Sequence, residues 1–156
     1  MTKANLAKRN WHGSLKCVFC NHTETIKHLF FDCTFANTIW HIIVVALGVK
    51  KPSNMHHLME GWMQPCNSKT KAKLLIGVAV IFWSIWLSLN DIVFNKHPNV
   101  TIMQAIFRST YWIRFWRLLQ REDQREDMLK ACQNLEVVAM QFFSKHGWPC
   151  NYRICA

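Results

Sequence analysis

Carboxylates are scarce in this 156-residue chain: 9 Asp and Glu stand against 19 Lys and Arg, for a formal charge of +10. No two of Asp32, Asp91, Asp123 and Asp127 are adjacent, and no carboxylate cluster suits nuclease chemistry. A Gly-rich phosphate loop is also missing. These absences point to a binding module, not a complete enzyme. There is no internal repeat and no low-complexity tract, and strand signals are too few and short for a sheet protein. Met1-Thr2-Lys3-Ala4-Asn5 leads into Lys8 and Arg9 without an apolar h-region, so a secretory signal is not expected. The seven cysteines are therefore expected to be reduced, in a nuclear or cytoplasmic protein, where clustered thiols point to metal more than to disulfides.

What is abundant is apolar surface. Hydrophobic residues make up 51% of the chain and aromatics 13%, which disordered segments do not show, so a packed core is expected. The positive surplus favours polyanions, with nucleic acid ahead of an anionic membrane. The uncharged run from Leu74 to Leu87 is short for a membrane span, which needs roughly 20 apolar residues. It reads first as a core helix over 70–90 and second as a membrane-associated segment.

The rest of the chain also reads as helical. Residues 3–10 suit a short helix that ends before Trp11-His12-Gly13-Ser14. Residues 34–47 are strongly apolar, with Thr34 as expected N-cap and Gly48 as expected stop. Pro52-Ser53-Asn54 marks a turn before a short helix over 55–64. Asn95 to Asn99, with Pro98, should end the long helix, and Thr101 with Gln104 has capping-box spacing for the next. Ile102, Ile106, Ile113, Trp116 and Leu119 form one apolar stripe, and Met128, Leu129, Cys132, Leu135, Val138 and Phe142 a second. The charged stretch between them is either an exposed middle or a break. The expected fold is mainly α, with a small N-terminal knuckle and at most a short β-hairpin around Cys17 to Cys20.

Residues 17–33 carry the chemistry. Cys17 and Cys20 are spaced for a tight knuckle, and His28 and Cys33 supply a second local pair after a longer loop. Two local pairs can close one tetrahedron, and a Cys₃His set favours zinc. With four protein ligands no coordination position is left for water, so the expected role is structural. Three thiolates and a neutral imidazole around Zn²⁺ leave a charge of −1, which Lys16 and Lys27 are placed to offset. His22 and His12 are rival ligands, but His22 sits so close to Cys20 that closing the site would strain the turn.

The run ETIKHLFFDC, followed by Ala36 and Ile39-Trp40, resembles the zinc-binding domain that follows the reverse transcriptase in plant LINE-type (non-LTR) retrotransposons. LAKRNW before the first cysteine fits the same family, as do Ile85-Trp86, Asn90 and Phe94 further on. Leu89 stands where that family usually has arginine. The resemblance implies one structural zinc on Cys17, Cys20, His28 and Cys33, and an accessory role in contacting nucleic acid. It covers roughly 2–95, so residues 1–95 are expected to form the zinc-binding domain and 96–156 a helical extension packed on it. The paired aspartates of the polymerase itself are absent.

Candidate nucleic-acid contacts are Lys8, Arg9 and Lys16 beside the knuckle, and Arg114, Arg117 and Arg121 at helical spacing further on. Lys50, Lys51, Lys69, Lys71 and Lys73 would add to a basic face, whereas Trp112 and Trp116 read as core. RNA or DNA is the expected partner and a protein partner the alternative, followed by a membrane-associated role or a degenerate fragment. Cys66, Cys132, Cys150 and Cys155 show no partner pattern, and Cys132 fits the core.

Overall fold

The computed structural model describes residues 2–94 and 99–146. The expectations placed on Asn95 to Pro98, Gly147, Pro149, Cys150 and Cys155 lie outside the described residues. The fold is mainly α. A short helix α1 (Lys3–Ala7) is followed by the knuckle, a π-helical turn at His28–Asp32, and α2 (Thr34–Leu47). A second π turn (His57–Trp62) leads into α3 (Ser68–Val93), α4 (Ile102–Trp116), a 3₁₀ turn (Arg117–Leu119) and α5 (Glu122–His146). Among the described residues no strand forms. The expected hairpin is reduced to one antiparallel bridge between Lys16 and Thr23.

Local chemistry sets the helix ends. Gly48 closes α2 at φ 64°, a left-handed position that glycine reaches without a Cβ penalty. Thr101 and Gln104 form the expected capping box of α4. Asn67 caps α3 by accepting the Thr70 N–H. One expectation needs correcting: Thr34 lies inside α2, and Cys33 occupies the N-cap without a side-chain cap bond. The Thr34 carbonyl instead accepts from the Thr38 hydroxyl at 3.0 Å. The charged stretch is a break, because the α-helix ends at Trp116 and a 3₁₀ turn redirects the chain.

Each long helix buries one face. Phe35, Ala36, Ile39, Trp40, Ile42 and Ile43 of α2 recur at helical spacing, as do Met128, Cys132, Leu135, Ala139 and Phe143 of α5. Helix α3 packs on α4, α4 on α5, and α5 on α2. Lys69 pairs with Asp123 and Lys73 with Asp127, so α3 and α5 run in the same direction, side by side. By length and composition α3 is apolar enough to cross a membrane, but core helices meet the same description. Its Val78, Ile81, Ile85 and Leu89 are buried in the core.

The knuckle and the helices share one apolar cluster running from Cys17 to Phe143. Phe82 of α3 is the joint: its ring lies 4.5 Å from Phe30, 5.5 Å from Phe31 and 6.5 Å from Trp40. Trp112 and Trp116 pack against the same cluster, in keeping with the core reading.

Candidate metal centre

The knuckle turn is built by backbone bonds. Asn21 N–H donates to the Cys17 carbonyl (3.0 Å), and Cys17 N–H to that of His22 (2.7 Å). Asn21 sits at φ 62°, a left-handed conformation that asparagine tolerates better than most residues. The chain reverses there, and Cys17 and Cys20 present their sulfurs to the same side.

The second ligand pair depends on the π turn. His28 and Cys33 are five residues apart, too far for one α-turn to align them. An i→i+5 bond from Cys33 N–H to the His28 carbonyl (2.7 Å) widens the turn and returns the chain to one side after five residues. The Thr25 hydroxyl accepts the His28 N–H at 3.0 Å, fixing the start of the turn. Its last carbonyls are met by side chains from outside: Phe30 by Trp40 Nε1 (2.9 Å), Phe31 by Lys51 Nζ (2.6 Å) and Asp32 by Asn37 Nδ2 (2.9 Å). Lys51 also donates to the Asn37 carboxamide. Lys51 was grouped with a basic face on sequence; here it is turned inward as a brace. Neither it nor Asn37 carried a sequence signal for this role, because the carbonyls they satisfy exist only once the π turn forms.

The ligand atoms of Cys17, Cys20, His28 and Cys33 all lie within 4.8 Å of one another. Cys17 and Cys33 sulfurs are 3.9 Å apart, Cys33 and Cys20 sulfurs 3.6 Å, and Cys20 Sγ is 3.0 Å from His28 Nε2. A tetrahedron with Zn–S bonds of about 2.3 Å has S···S edges of about 3.8 Å. The sulfur separations match that edge, and they are far too long for disulfides. The group can therefore hold a metal ion, and its donor chemistry suits zinc.

The electrostatics agree. Each sulfur accepts the backbone N–H two residues on: Phe19 to Cys17, His22 to Cys20, and Phe35 to Cys33. The hydrogen bond with the Cys33 thiol outweighs burial and brings Cys17 down to about 5, with His28 helping. Cys33 moves the opposite way, through the same bond and burial. Burial raises Cys20. Cys17 is thus the thiol whose deprotonation the cluster favours most. A divalent ion would bind the thiolate forms of the cysteines and displace their protons.

The rivals stay outside. His22 Nδ1 faces the Cys20 carbonyl at 3.1 Å, and His12 is exposed. Lys27 pairs with Asp32 at 3.3 Å, and Lys16 is exposed. Beneath the site Glu24 is buried; it accepts the Lys3 N–H at 2.9 Å, while its other oxygen has no hydrogen-bond partner. Burial raises its pKa. Sequence reading missed this anchor of α1, since a lone glutamate in a polar segment reads as surface.

The structure separates the six candidate nucleic-acid contacts into two groups. Lys8, Arg9 and Lys16 are exposed around the knuckle. Arg114, Arg117 and Arg121 do not share one helical face, because α4 ends at Trp116. Arg114 forms a two-pronged bond with the Glu136 carboxylate, 2.5 and 2.8 Å. Arg121 lies 3.7 Å from Asp123, and Arg117 is half-buried. Lys69 and Lys73 are likewise paired with aspartates.

Residues 1–40 match the model of a family described as zinc-binding in reverse transcriptase. All four ligand positions fall inside that match. No curated protein and no solved structure matches the chain. The family match and the Cys₃His geometry together support a zinc-binding module.

Proposed function

We propose that the chain is a zinc-dependent accessory module that contacts nucleic acid, derived from a plant LINE-type retrotransposon reverse transcriptase. Cys17, Cys20, His28 and Cys33 would hold one structural Zn²⁺. The observation that carries this reading is the closed set of four protein donors, which leaves no coordination position for substrate or water. The metal would then support the fold instead of performing chemistry. On this reading residues 1–95 would form the zinc-binding domain and 96–156 a helical extension; the contacts of Phe82 of α3 with Phe30 and Phe31 of the π turn support counting α3 with the knuckle. Residence is nuclear or cytoplasmic.

Lys8, Arg9 and Lys16 are the favoured phosphate contacts, being exposed and, among the described residues, outside any ion pair. Arg114 is less available, since binding phosphate would strand Glu136. The test is titration of single-stranded RNA and DNA across salt concentrations. Binding should weaken steeply with salt, and replacing all three cations by alanine should reduce the salt slope by about 2. Affinity no better than a charge-matched control at physiological salt would overturn the reading.

A protein-interaction role is the second reading. Phe107, Tyr111 and Phe115 are exposed at successive four-residue steps on α4, with Leu118 and Leu119 beyond. Concentration-dependent oligomers without nucleic-acid affinity would favour it.

A further inference from the structure

An apolar cavity of about 130 Å³, partly open to solvent, lies where α2, α3, α4 and α5 converge, apart from the metal centre. Two features keep it open. Helices α3 and α5 scarcely meet through their backbones, and the Lys69–Asp123 and Lys73–Asp127 pairs bridge the gap between them. Facing into this region are two small residues, Gly77 of α3 and Ala131 of α5. A Cβ added at Gly77 would meet nothing within 4 Å, so no packing contact requires glycine there. Glycine in a helix interior is destabilising relative to alanine, and here it leaves room.

The lining is chemically uniform. Trp40, Trp62 and Ile113 form part of an apolar wall. The charged lining groups, Lys73 and Asp127, neutralise each other at 2.6 Å. None of the buried side-chain polar atoms left without a hydrogen-bond partner lines the cavity. Water needs two or more polar partners to settle in such a space, and this lining offers almost none that is not already paired.

We infer that this cavity is a binding site for a small, neutral, ring-sized apolar molecule, seated between Trp40 and the Gly77–Ala131 gap beneath the Lys73–Asp127 pair. A charged ligand is disfavoured, because the one cation in the lining already has its counter-ion and the walls offer no donor. Two tryptophans in the lining make an aromatic ring a favourable occupant.

The test uses the full chain and benzene as probe, with benzoate as the charged comparison. Benzene should raise the thermal midpoint saturably and shift the amide resonances of Gly77 and Ala131 and the Trp40 indole signal. Gly77→Leu should fill the space, keep the helical spectrum and weaken benzene binding about tenfold or more; Ala131→Leu provides the same block from the opposite wall if the first variant does not fold. Absence of a saturable response in the wild type would overturn the inference. So would an undiminished response in a folded filled variant, resonance shifts confined to other regions, or benzoate binding as tightly as benzene.

Discussion

The knuckle and the helical bundle meet at Phe82, yet they are stabilised by different means. The bundle buries long apolar stripes from four helices, so burial of apolar surface is its main source of stability. The knuckle has little regular structure of its own: a five-residue α1, one isolated bridge and a π turn. Its centre is three sulfurs and an imidazole. A segment this small ordinarily needs a metal or a disulfide to hold it, and the sulfur separations rule out the disulfide. The comparison teaches that metal dependence should be local. Removing zinc should loosen the knuckle and α1 while leaving α4 and α5 helical.

The strongest test of that contrast is chelation. Zinc-peptide binding free energies are on the order of 10 kcal/mol near neutral pH, so stripping the ion should abolish protection of the knuckle amides. Hydrogen exchange should show the loss over residues 15–33 and much less over α5. Uniform loss along the chain would mean that the two regions fold as one unit.

Next in size is the joint. Trp40 is fully buried and donates to the Phe30 carbonyl of the π turn. Trp40→Ala should cost about 3–5 kcal/mol by chemical denaturation and weaken metal affinity as well. Stability loss with unchanged zinc affinity would show that the bundle does not support the knuckle.

A smaller contrast is in pH dependence, where the two regions should differ in sign. In the bundle, Arg114 holds the Glu136 carboxyl below its ordinary 4.5. The stability this pair gives is full above that value and is lost as pH falls through the lowered pKa. In the knuckle, burial raises Glu24 above 4.5, so its penalty appears as pH rises from there towards the raised pKa. At pH 7 Glu136→Gln should destabilise by about 1 kcal/mol, whereas Glu24→Gln, which keeps the acceptor for Lys3 N–H, should be neutral or stabilising. Denaturation of both variants at pH 4 and pH 7 checks the pair of signs.

The smallest effect is Thr101→Ala, which removes one half of the capping box and should cost about 1 kcal/mol, all of it within the bundle.

Much of this was legible in the sequence for physical reasons. Gly48 and the Thr101–Gln104 pair act through their nearest neighbours, so their roles survive in any tertiary setting. The ligand spacing of Cys17, Cys20, His28 and Cys33 is also nearly local, and the four come together as the spacing suggested. What could not be read depends on distant partners. Lys51 looked like a surface cation until the π turn supplied a carbonyl 20 residues away. Arg114 looked free until α5 brought Glu136 alongside. Thr34 looked like a cap because hydroxyls favour that position, but the widened turn before α2 shifted the boundary to Cys33. The cavity beside Gly77 had no sequence signal, since it reflects the spacing of whole helices.

The most direct measurement is the metal content of the purified, reduced chain, taken beside a Cys17→Ser, Cys20→Ser double variant. One zinc per chain in the wild type and none in the variant is the expected result. A folded wild type without zinc, or a variant that retains it, would contradict the assignment of these four residues as a structural metal centre.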